Sequence, residues 1–345
     1  MKERGFLFVA SVVTVLIAAP ALIVVPAMLI ALNIYRAGTP TQMGISWGMC
    51  DFIKFRRQVA TAKDRTNRIQ FFGFSNVMMG IRAGAAGRML QRPTTNLGMN
   101  ANLTNGVVYE LLEQVLKPGD TLVVIMPYFY FGTDTRIEEQ FTVVRDYIFD
   151  CSPTAYRRLS FLDFLKLALA QRPGQVLEGT LRKLQDQFAI DLGRKMLPPF
   201  PMFNAGAPGA AFDENGDWTM NAERMRPADY RDRIQKTTIN AVRGFNEHGE
   251  SVRTLKNFLS LASSKGIKIV AAWPTLYFEN KRELAATAEK IERFYREIGV
   301  PVAGQYARYL YSIDHFFESA NHLTAEASRA YTRQIVEDLR PFLEH

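Results

Sequence analysis

The sequence has few cysteines and histidines, two of the side-chain types that bind metal ions. Its 345 residues include two cysteines, Cys50 and Cys151, and four histidines. The cysteines lie far apart and lack the short spacing of a metal site. They either form one disulfide in an oxidising compartment or remain buried thiols, and the sequence leaves both options open. We expect neither a metal nor another cofactor.

The sequence also lacks the pattern of a nucleic-acid-binding protein. The net charge of +8 is modest and spread along the chain. No basic motif is interleaved with aromatic residues, so nucleic acid is not an expected partner. Repeats and low-complexity segments are absent too, and the length allows one large domain or two modest ones.

Charged residues are missing between Arg4 and Arg36. This interval consists mostly of valine, leucine, isoleucine and alanine, and it is longer than the roughly 20 residues that cross a bilayer. It therefore predicts a membrane anchor over residues 1–36, followed by a juxtamembrane linker over residues 37–67.

A cleaved signal peptide is the alternative, because Lys2 and Arg4 precede an apolar stretch with small residues at Ala18 and Ala19. The apolar run continues to Leu32, which a cleaved signal does not require. The two basic residues at its start favour a cytoplasmic N-terminus. We expect a single-pass protein of the cytoplasmic (inner) membrane whose main domain is extracytoplasmic, or periplasmic.

Several basic residues follow the predicted anchor: Lys54, Arg56, Arg57, Lys63, Arg65 and Arg68. They either contact anionic lipid headgroups or form a solvated linker and helix face.

Beyond residue 67, strand-like and helix-like segments alternate. The predicted strands are Arg68–Gly73, Thr121–Pro127 and Lys268–Trp273. The predicted helices are Val107–Leu116, Val252–Ser264, Arg282–Gly299 and an amphipathic helix after Thr324 with Tyr331, Ile335, Leu339 and Phe342 on one face. Strands separated by helices predict an α/β domain over residues 68–345, with a central, mainly parallel sheet between helices.

An insertion over about residues 151–250 interrupts this alternation. It contains SFLDFLKLALAQ, which has helical periodicity, and a loop rich in glycine and proline. The helical part is a lid, a docking face for a membrane partner or an ordinary packed helix.

Ser75 follows the first predicted strand, two residues after Gly73 in the sequence FFGFSN. Active sites of parallel sheets lie at the carboxyl ends of the strands, where a serine hydroxyl can act as a nucleophile. Gly-x-Ser is also a common turn sequence, so a turn residue is the alternative.

His322 is the candidate base. Of the other histidines, His345 ends the chain, His248 lies in the polar segment NEHGE, and His315 lies further from the last helix. His322 precedes that helix directly, on a short loop that can hold a general base in place. Taken alone, a histidine beside a helix start is more often a structural or surface residue than a base.

Five segments together resemble the SGNH/GDSL hydrolase superfamily: GFSN at Ser75, NLGMNAN over residues 96–102, VVIMPY, KGIKIVAAWP and NHLT at His322. In particular, they resemble its membrane-anchored members from polysaccharide O-acylation systems, relatives of the alginate O-acetylation and D-alanyl transfer proteins. The resemblance covers roughly residues 68–132 and 252–340.

The resemblance implies a three-layer SGNH-like fold, with Ser75 as the nucleophile and His322 as the base. It implies that the N–H groups of Ser75 and Gly98 bind the oxyanion, although Gly98 is equally explained as a turn glycine. The implied function is transfer of an acyl group, in particular acetyl, to or from a cell-surface or exported polysaccharide. The implied partners are that glycan, the membrane and a multi-pass membrane acyltransferase. An esterase and a non-catalytic assembly factor are the alternatives.

Two departures from the family pattern affect the oxyanion hole. The usual Gly-Asp-Ser is Gly73-Phe74-Ser75, and the third-block Gly-x-Asn-Asp is replaced by Pro127-Tyr128-Phe129-Tyr130. Asn100, Asn102 or a tyrosine hydroxyl would then have to supply the missing donor. The aromatic residues 128–131 are either a packed strand end or a platform for a sugar.

A third departure affects the acid. The aspartate expected three residues before the histidine is Ser319. Glu318 or Asp314 therefore has to orient the ring of His322.

Overall fold

The structure is a computed structural model. The structure describes residues 24–35, 47–62, 67–99, 105–132, 149, 151, 161–188, 212–219, 226–241, 244–277 and 281–343. The chain divides into two compact units. One comprises Met1–Cys50 and Phe141–Phe200, and the other comprises Asp51–Gln140 and Pro201–His345. We call them the small unit and the sheet unit.

The described helices are, in chain order, α1 (24–35), α2 (Trp47–Ala62), α3 (Ser75–Gly80), α4 (Ala83–Leu90), α5 (Asn105–Val115), α6 (Tyr128–Gly132), α7 (Phe161–Leu169), α8 (Pro173–Phe188), α9 (Tyr230–Ala241), α10 (Glu250–Ser264), α11 (Lys281–Glu297) and α12 (Ala325–Leu343). The described strands are β1 (Ile69–Gly73), β2 (Thr94–Gly98), β3 (Thr121–Ile125), β4 (Lys268–Ala272), β5 (Leu276–Tyr277), β6 (Val302–Ala303) and β7 (Leu310–Tyr311). Short 3₁₀ helices cover Tyr306–Tyr309 and Ile313–His315.

The main sheet has five strands in the order β2-β1-β3-β4-β6, and each neighbouring pair is parallel. All residues of β1, β2 and β3 are buried, as expected for a parallel sheet that is covered on both faces. The predicted α/β fold with a central parallel sheet is therefore confirmed. A separate pair, β5 and β7, is also parallel.

Two groups of helices flank the sheet. Helix α12 packs on α3 and α4, whereas α10 packs on α5 and β4. In β1, the ring of Phe72 lies 6.3 Å from Tyr109 of α5 and 6.4 Å from Phe258 of α10. These contacts bury the strands and hold their carboxyl ends in fixed positions.

The last helix begins as its sequence predicts. The hydroxyl of Thr324 accepts a hydrogen bond from the N–H of Ala327 at 3.3 Å, which is the N-cap interaction. Tyr331, Ile335 and Leu339 are all buried along one face. The predicted strands β3 and β4 end earlier than expected, at Ile125 and Ala272. Pro127 and Pro274 follow these ends, and proline cannot donate to a strand ladder.

Two of the basic residues after the predicted anchor are buried, so neither sequence interpretation fits them. Arg56 donates from Nη1 to the carbonyl oxygens of Asn96 and Gly216, at 2.5 and 2.6 Å. Burial lowers the pKa of Arg56 to about 9. Arg68 forms a buried ion pair with Asp120, with 2.9 Å between Nε and Oδ1. Both arginines hold chain segments together inside the sheet unit.

Most of the predicted anchor lies outside the described residues. Within the described ranges, which begin at residue 24, no helix combines the length and apolarity needed to cross a membrane. Cys151 is disulfide-bonded, and Cys50 is the other cysteine of the sequence.

Candidate active site

Ser75 begins α3 directly after β1 and Phe74. Gly73, at the end of β1, pairs with Gly98 of β2 and with Ile125 of β3, so Ser75 lies at the carboxyl edge of the sheet. The side chain is partly buried. Among the described residues, neither its hydroxyl nor its backbone N–H has a hydrogen-bond partner. Ser75 thus has the position and the unpaired polar groups that a nucleophile needs.

Asn76 fixes the turn that carries Ser75. Its Oδ1 accepts a hydrogen bond from the N–H of Phe74 at 3.1 Å. Its Nδ2 donates to the carbonyl oxygen of Ile125, at the end of β3, at 2.9 Å. The side chain is buried, so these bonds hold the start of α3 against the sheet. The sequence interpretation overlooked Asn76, although it directly follows the candidate nucleophile.

Asn96 fixes the other end of α3. Its Nδ2 donates to the carbonyl oxygens of Val77 and Ile81, at 3.1 and 2.9 Å. The last carbonyl groups of a helix have no partner within the helix, so a side-chain donor stabilises them. The two asparagines therefore position the helix that carries Ser75 from both ends.

Gly98 permits a close contact between β2 and α3. A β-carbon at this position would lie 2.1 Å from the backbone nitrogen of Met78 and 2.4 Å from its Cα. Gly98 ends β2, so it is a strand residue rather than a turn residue. Its N–H donates to Oδ1 of Asn96 at 2.9 Å. This bond would have to break before the N–H could bind an oxyanion, and that role remains a prediction.

His322 lies on the loop between the 3₁₀ helix Ile313–His315 and α12. Its Nδ1 forms a hydrogen bond with Oε1 of Glu318, and both side chains are mostly buried. A ring nitrogen that faces a carboxylate carries the proton, which leaves Nε2 as the acceptor. Nε2 has no partner among the described residues. This is the arrangement that a general base requires.

Backbone hydrogen bonds hold this loop. The N–H of Phe317 donates to the carbonyl oxygen of His322 at 2.8 Å, and the N–H of Thr324 donates to that of His315 at 2.9 Å. The remaining oxygen of Glu318, Oε2, and the hydroxyl of Ser319 are buried without a partner in the described part of the chain. The loop is therefore rigid and retains unused polar atoms.

The His322 loop lies close to the far end of α3, the helix that begins at Ser75. A β-carbon on Gly80 of α3 would lie 3.9 Å from Cδ1 of Leu323, the residue after His322. The hydroxyl of Tyr331 donates to the carbonyl oxygen of Trp273, just beyond β4, at 2.8 Å. The hydroxyl of Ser75 and the ring of His322 are not hydrogen-bonded to each other. Catalytic hydrogen bonds often form only when substrate is bound.

Asp314 does not contact His322. Its Oδ1 accepts hydrogen bonds from Tyr230 at 2.9 Å and from Arg231 at 2.5 Å. The hydrogen bond from Tyr230, together with the charge of Arg231, holds the pKa of Asp314 below its usual value. Of the two acids that the sequence left open, the structure therefore pairs Glu318 with the histidine.

A comparison of Glu318→Gln with Asp314→Asn tests this pairing. We expect Glu318→Gln to lower the rate of acyl-ester turnover on the order of 10²-fold, because the ring loses its orienting carboxylate. Asp314→Asn removes a surface ion pair and should leave the rate within about 2-fold. Steady-state kinetics on the two purified variants give the answer. A larger loss in Asp314→Asn would show that the acid is misassigned.

The other predicted oxyanion donors either lie outside the described residues or belong to a buried aromatic cluster. Asn100 and Asn102 lie outside them. The hydroxyl of Tyr130 donates to the carbonyl oxygen of Ser251 at 2.9 Å. The ring of Tyr128 stacks on Trp273, and burial raises the pKa of Tyr128 well above its usual value. Tyr128, Tyr130 and Phe131 are all buried in α6, just beyond the end of β3, so they are packed, as one of the two alternatives predicted, but in a short helix rather than in a strand end.

No group of three or more histidine, cysteine, aspartate or glutamate side chains suited to a metal ion occurs within the described ranges.

Comparisons with known proteins were made for the whole chain. No protein-family model matches the chain. No curated protein matches it either. Among solved structures, the chain aligns with a protein from Streptococcus pneumoniae provisionally described as a platelet activating factor, with 11% identity and a TM-score of 0.34. The alignment covers 86% of this chain and 95% of that chain. At this TM-score the similarity is too low to support an assignment.

Proposed function

We propose that the protein transfers acyl groups through a covalent ester on Ser75. The hydrogen bond between His322 Nδ1 and Glu318 carries this proposal, because it leaves Nε2 as a proton acceptor on a loop that lies close to α3, the helix that begins at Ser75. The partly buried position of all three side chains supports it.

In the first step, Oγ of Ser75 attacks the carbonyl carbon of an acyl ester while Nε2 of His322 takes the hydroxyl proton. The negative charge on the carbonyl oxygen is stabilised by the unpaired N–H of Ser75. The intermediate collapses, the ester bond to the leaving alcohol breaks, and the proton on His322 passes to that alcohol. The acyl group remains on Ser75.

In the second step, the hydroxyl of an acceptor attacks the acyl-Ser75 carbonyl, with His322 again taking the proton. Collapse of this intermediate returns the proton to Ser75 and releases the new ester. The motifs that resemble polysaccharide O-acylation proteins support acetyl as the acyl group and an exported glycan as acceptor or donor. They also support a multi-pass membrane acyltransferase as the partner that supplies the acyl group.

If water replaces the acceptor hydroxyl, the same site is an esterase. The two reactions share the acyl-enzyme and differ in the second step alone. Analysis of the products from an acetyl ester, with and without an added glycan, separates them.

A non-catalytic role as an assembly factor is the competing proposal. One observation favours it, namely that the N–H of Gly98 is already bonded to Asn96 and so is not directed at an oxyanion. Under this proposal, the sheet unit binds a glycan or a membrane acyltransferase without forming a covalent intermediate.

A serine-directed phosphonate tests the catalytic proposal. We expect it to add one adduct to Ser75, identified by peptide mass spectrometry, and to react much more slowly with His322→Ala. Labelling of other serines at the same rate, or no labelling of a folded protein, would favour the assembly factor.

The location of the sheet unit is a further part of the proposal. We propose that residues 1–36 anchor the protein in the cytoplasmic membrane and that the main domain is extracytoplasmic. The uncharged run between Arg4 and Arg36 supports the anchor. The disulfide at Cys151 supports an oxidising compartment.

The N-terminus of the mature protein tests the anchor. We expect the membrane fraction to contain a chain that begins at or next to Met1, because an anchor has to be retained. Mass spectrometry of the purified full-length protein measures this end directly. A mature N-terminus near residue 20 or later would show that the segment is a cleaved signal.

A further inference from the structure

Two consecutive helices of the small unit expose leucine side chains. On α8, Leu177, Leu181 and Leu184 are 59%, 50% and 37% exposed. Their spacing of four and three residues places them on one face of the helix. On α7, Phe161 and Leu162 are even more exposed, at 77% and 61%.

The opposite side of α8 is packed. Gln175 and Gly179 are buried, and on an α-helix they lie roughly opposite the leucine stripe. The helix therefore has one face inside the small unit and one apolar face without a protein partner among the described residues. An aqueous location of this face would expose contiguous apolar surface to water, which is unfavourable.

A hydrogen bond joins these helices to the end of the apolar N-terminal run. Nδ2 of Asn33, in α1, donates to the carbonyl oxygen of Ala168, in the last turn of α7, at 3.2 Å. Both groups are buried. The exposed apolar residues Val24, Val25 and Met28 precede Asn33 on α1. Helix α7 is thus attached to the segment for which a membrane location is proposed, and α8 follows α7 directly in the chain.

We propose that the exposed faces of α7 and α8 lie in the headgroup region of the bilayer, next to the point where the anchor leaves it. The inference rests on the proposed anchor. α7 has 9 residues and α8 has 16, so both are shorter than the roughly 20 residues of a membrane span and lie along the surface. Lys166 is exposed on α7 and can extend its ammonium group to lipid phosphates while its stem contacts the apolar region.

Nitroxide labels on the full-length protein in nanodiscs of phosphatidylethanolamine and phosphatidylglycerol test this proposal. Single cysteines replace Leu162 and Leu181, with the native disulfide left oxidised. Labels at two control positions show how a label behaves in water and how it behaves inside the protein. Lys265, an exposed residue of the sheet unit, is the control for water, and Val176, which is 1% exposed, is the control for the protein interior. Power saturation by oxygen, which concentrates in lipid, is compared with saturation by a water-soluble nickel chelate.

We expect the labels at 162 and 181 to be saturated more strongly by oxygen than by the nickel chelate, and the label at 265 to show the reverse. Equal behaviour at 162, 181 and 265 would place the face in water and overturn the proposal. Protection from both reagents, as at 176, would show that protein covers the face and would also overturn it. A chain that fails to remain with the nanodiscs would overturn both this proposal and the anchor, whereas retention with labels in water would overturn this one alone.

Discussion

Ser75→Ala is expected to reduce acyl-ester turnover on the order of 10⁴-fold or more while the protein stays folded. The substitution removes the atom that would form the covalent intermediate, so no acyl-enzyme can form. The hydroxyl makes no hydrogen bond among the described residues and is partly exposed, so its loss removes little packing. Turnover of an acetyl ester and thermal unfolding of the same preparation measure the two effects.

His322→Ala should reduce turnover about as much as Ser75→Ala. The double variant should be no worse than either single one, because nucleophile and base act as one unit. His315→Ala is the matched control, since His315 ends the 3₁₀ helix just before that loop, is exposed and contacts Ser312. Loss of turnover in His315→Ala with retention in His322→Ala would overturn the assignment of the base.

Gly98→Ala is expected to lower the free energy of unfolding by about 3 kcal/mol or more, the upper range for overpacking a core. The new methyl group would overlap the backbone of Met78, and a helix backbone cannot rotate away as a side chain can. The helix α3 would have to shift, and Ser75 would shift with it. Turnover should therefore also fall, on the order of 10²-fold for a displacement of about 1 Å.

Gly244→Ala is the control for this substitution. A β-carbon at Gly244 would have no atom within 4 Å, so its stability should change by less than about 0.5 kcal/mol. Chemical denaturation of both variants gives the comparison. Wild-type stability in Gly98→Ala would contradict the close contact between β2 and α3 on which the position of Ser75 depends.

Several elements of the sheet unit could be predicted from local patterns, whereas short ones such as β2 and α4 were not predicted. The strand before Ser75 is a short apolar run that ends at Gly73, and the helix after Thr324 has periodic apolar residues and an N-cap. The order of the strands could not be derived from these patterns, because it depends on pairing between residues far apart, such as Gly73 with Ile125.

The contacts that position the candidate site were harder to predict from the sequence. Glu318 and Asp314 lie four and eight residues before His322, so spacing alone allows either acid to reach the ring. The structure separates them through Tyr230 and Arg231, which are distant in the sequence and hold Asp314 elsewhere.

The burial of Arg56 could not be predicted either, because its partners are also distant in the sequence. In the sequence it belongs to a basic segment after the predicted anchor, where solvent or lipid headgroups are the natural partners. In the structure its partners are carbonyl groups of Asn96 and Gly216, the latter 160 residues away. Asn96 likewise donates hydrogen bonds to carbonyl groups at the end of α3, which lie near it only in the folded chain.

Rapid-quench mass spectrometry of the wild-type protein mixed with an acetyl ester tests the central claim most directly. The catalytic account predicts a transient acetyl group on the peptide that contains Ser75, formed before product accumulates and absent in Ser75→Ala. Product formation without any acetylated Ser75, or acetylation that persists in Ser75→Ala, would contradict the proposed mechanism.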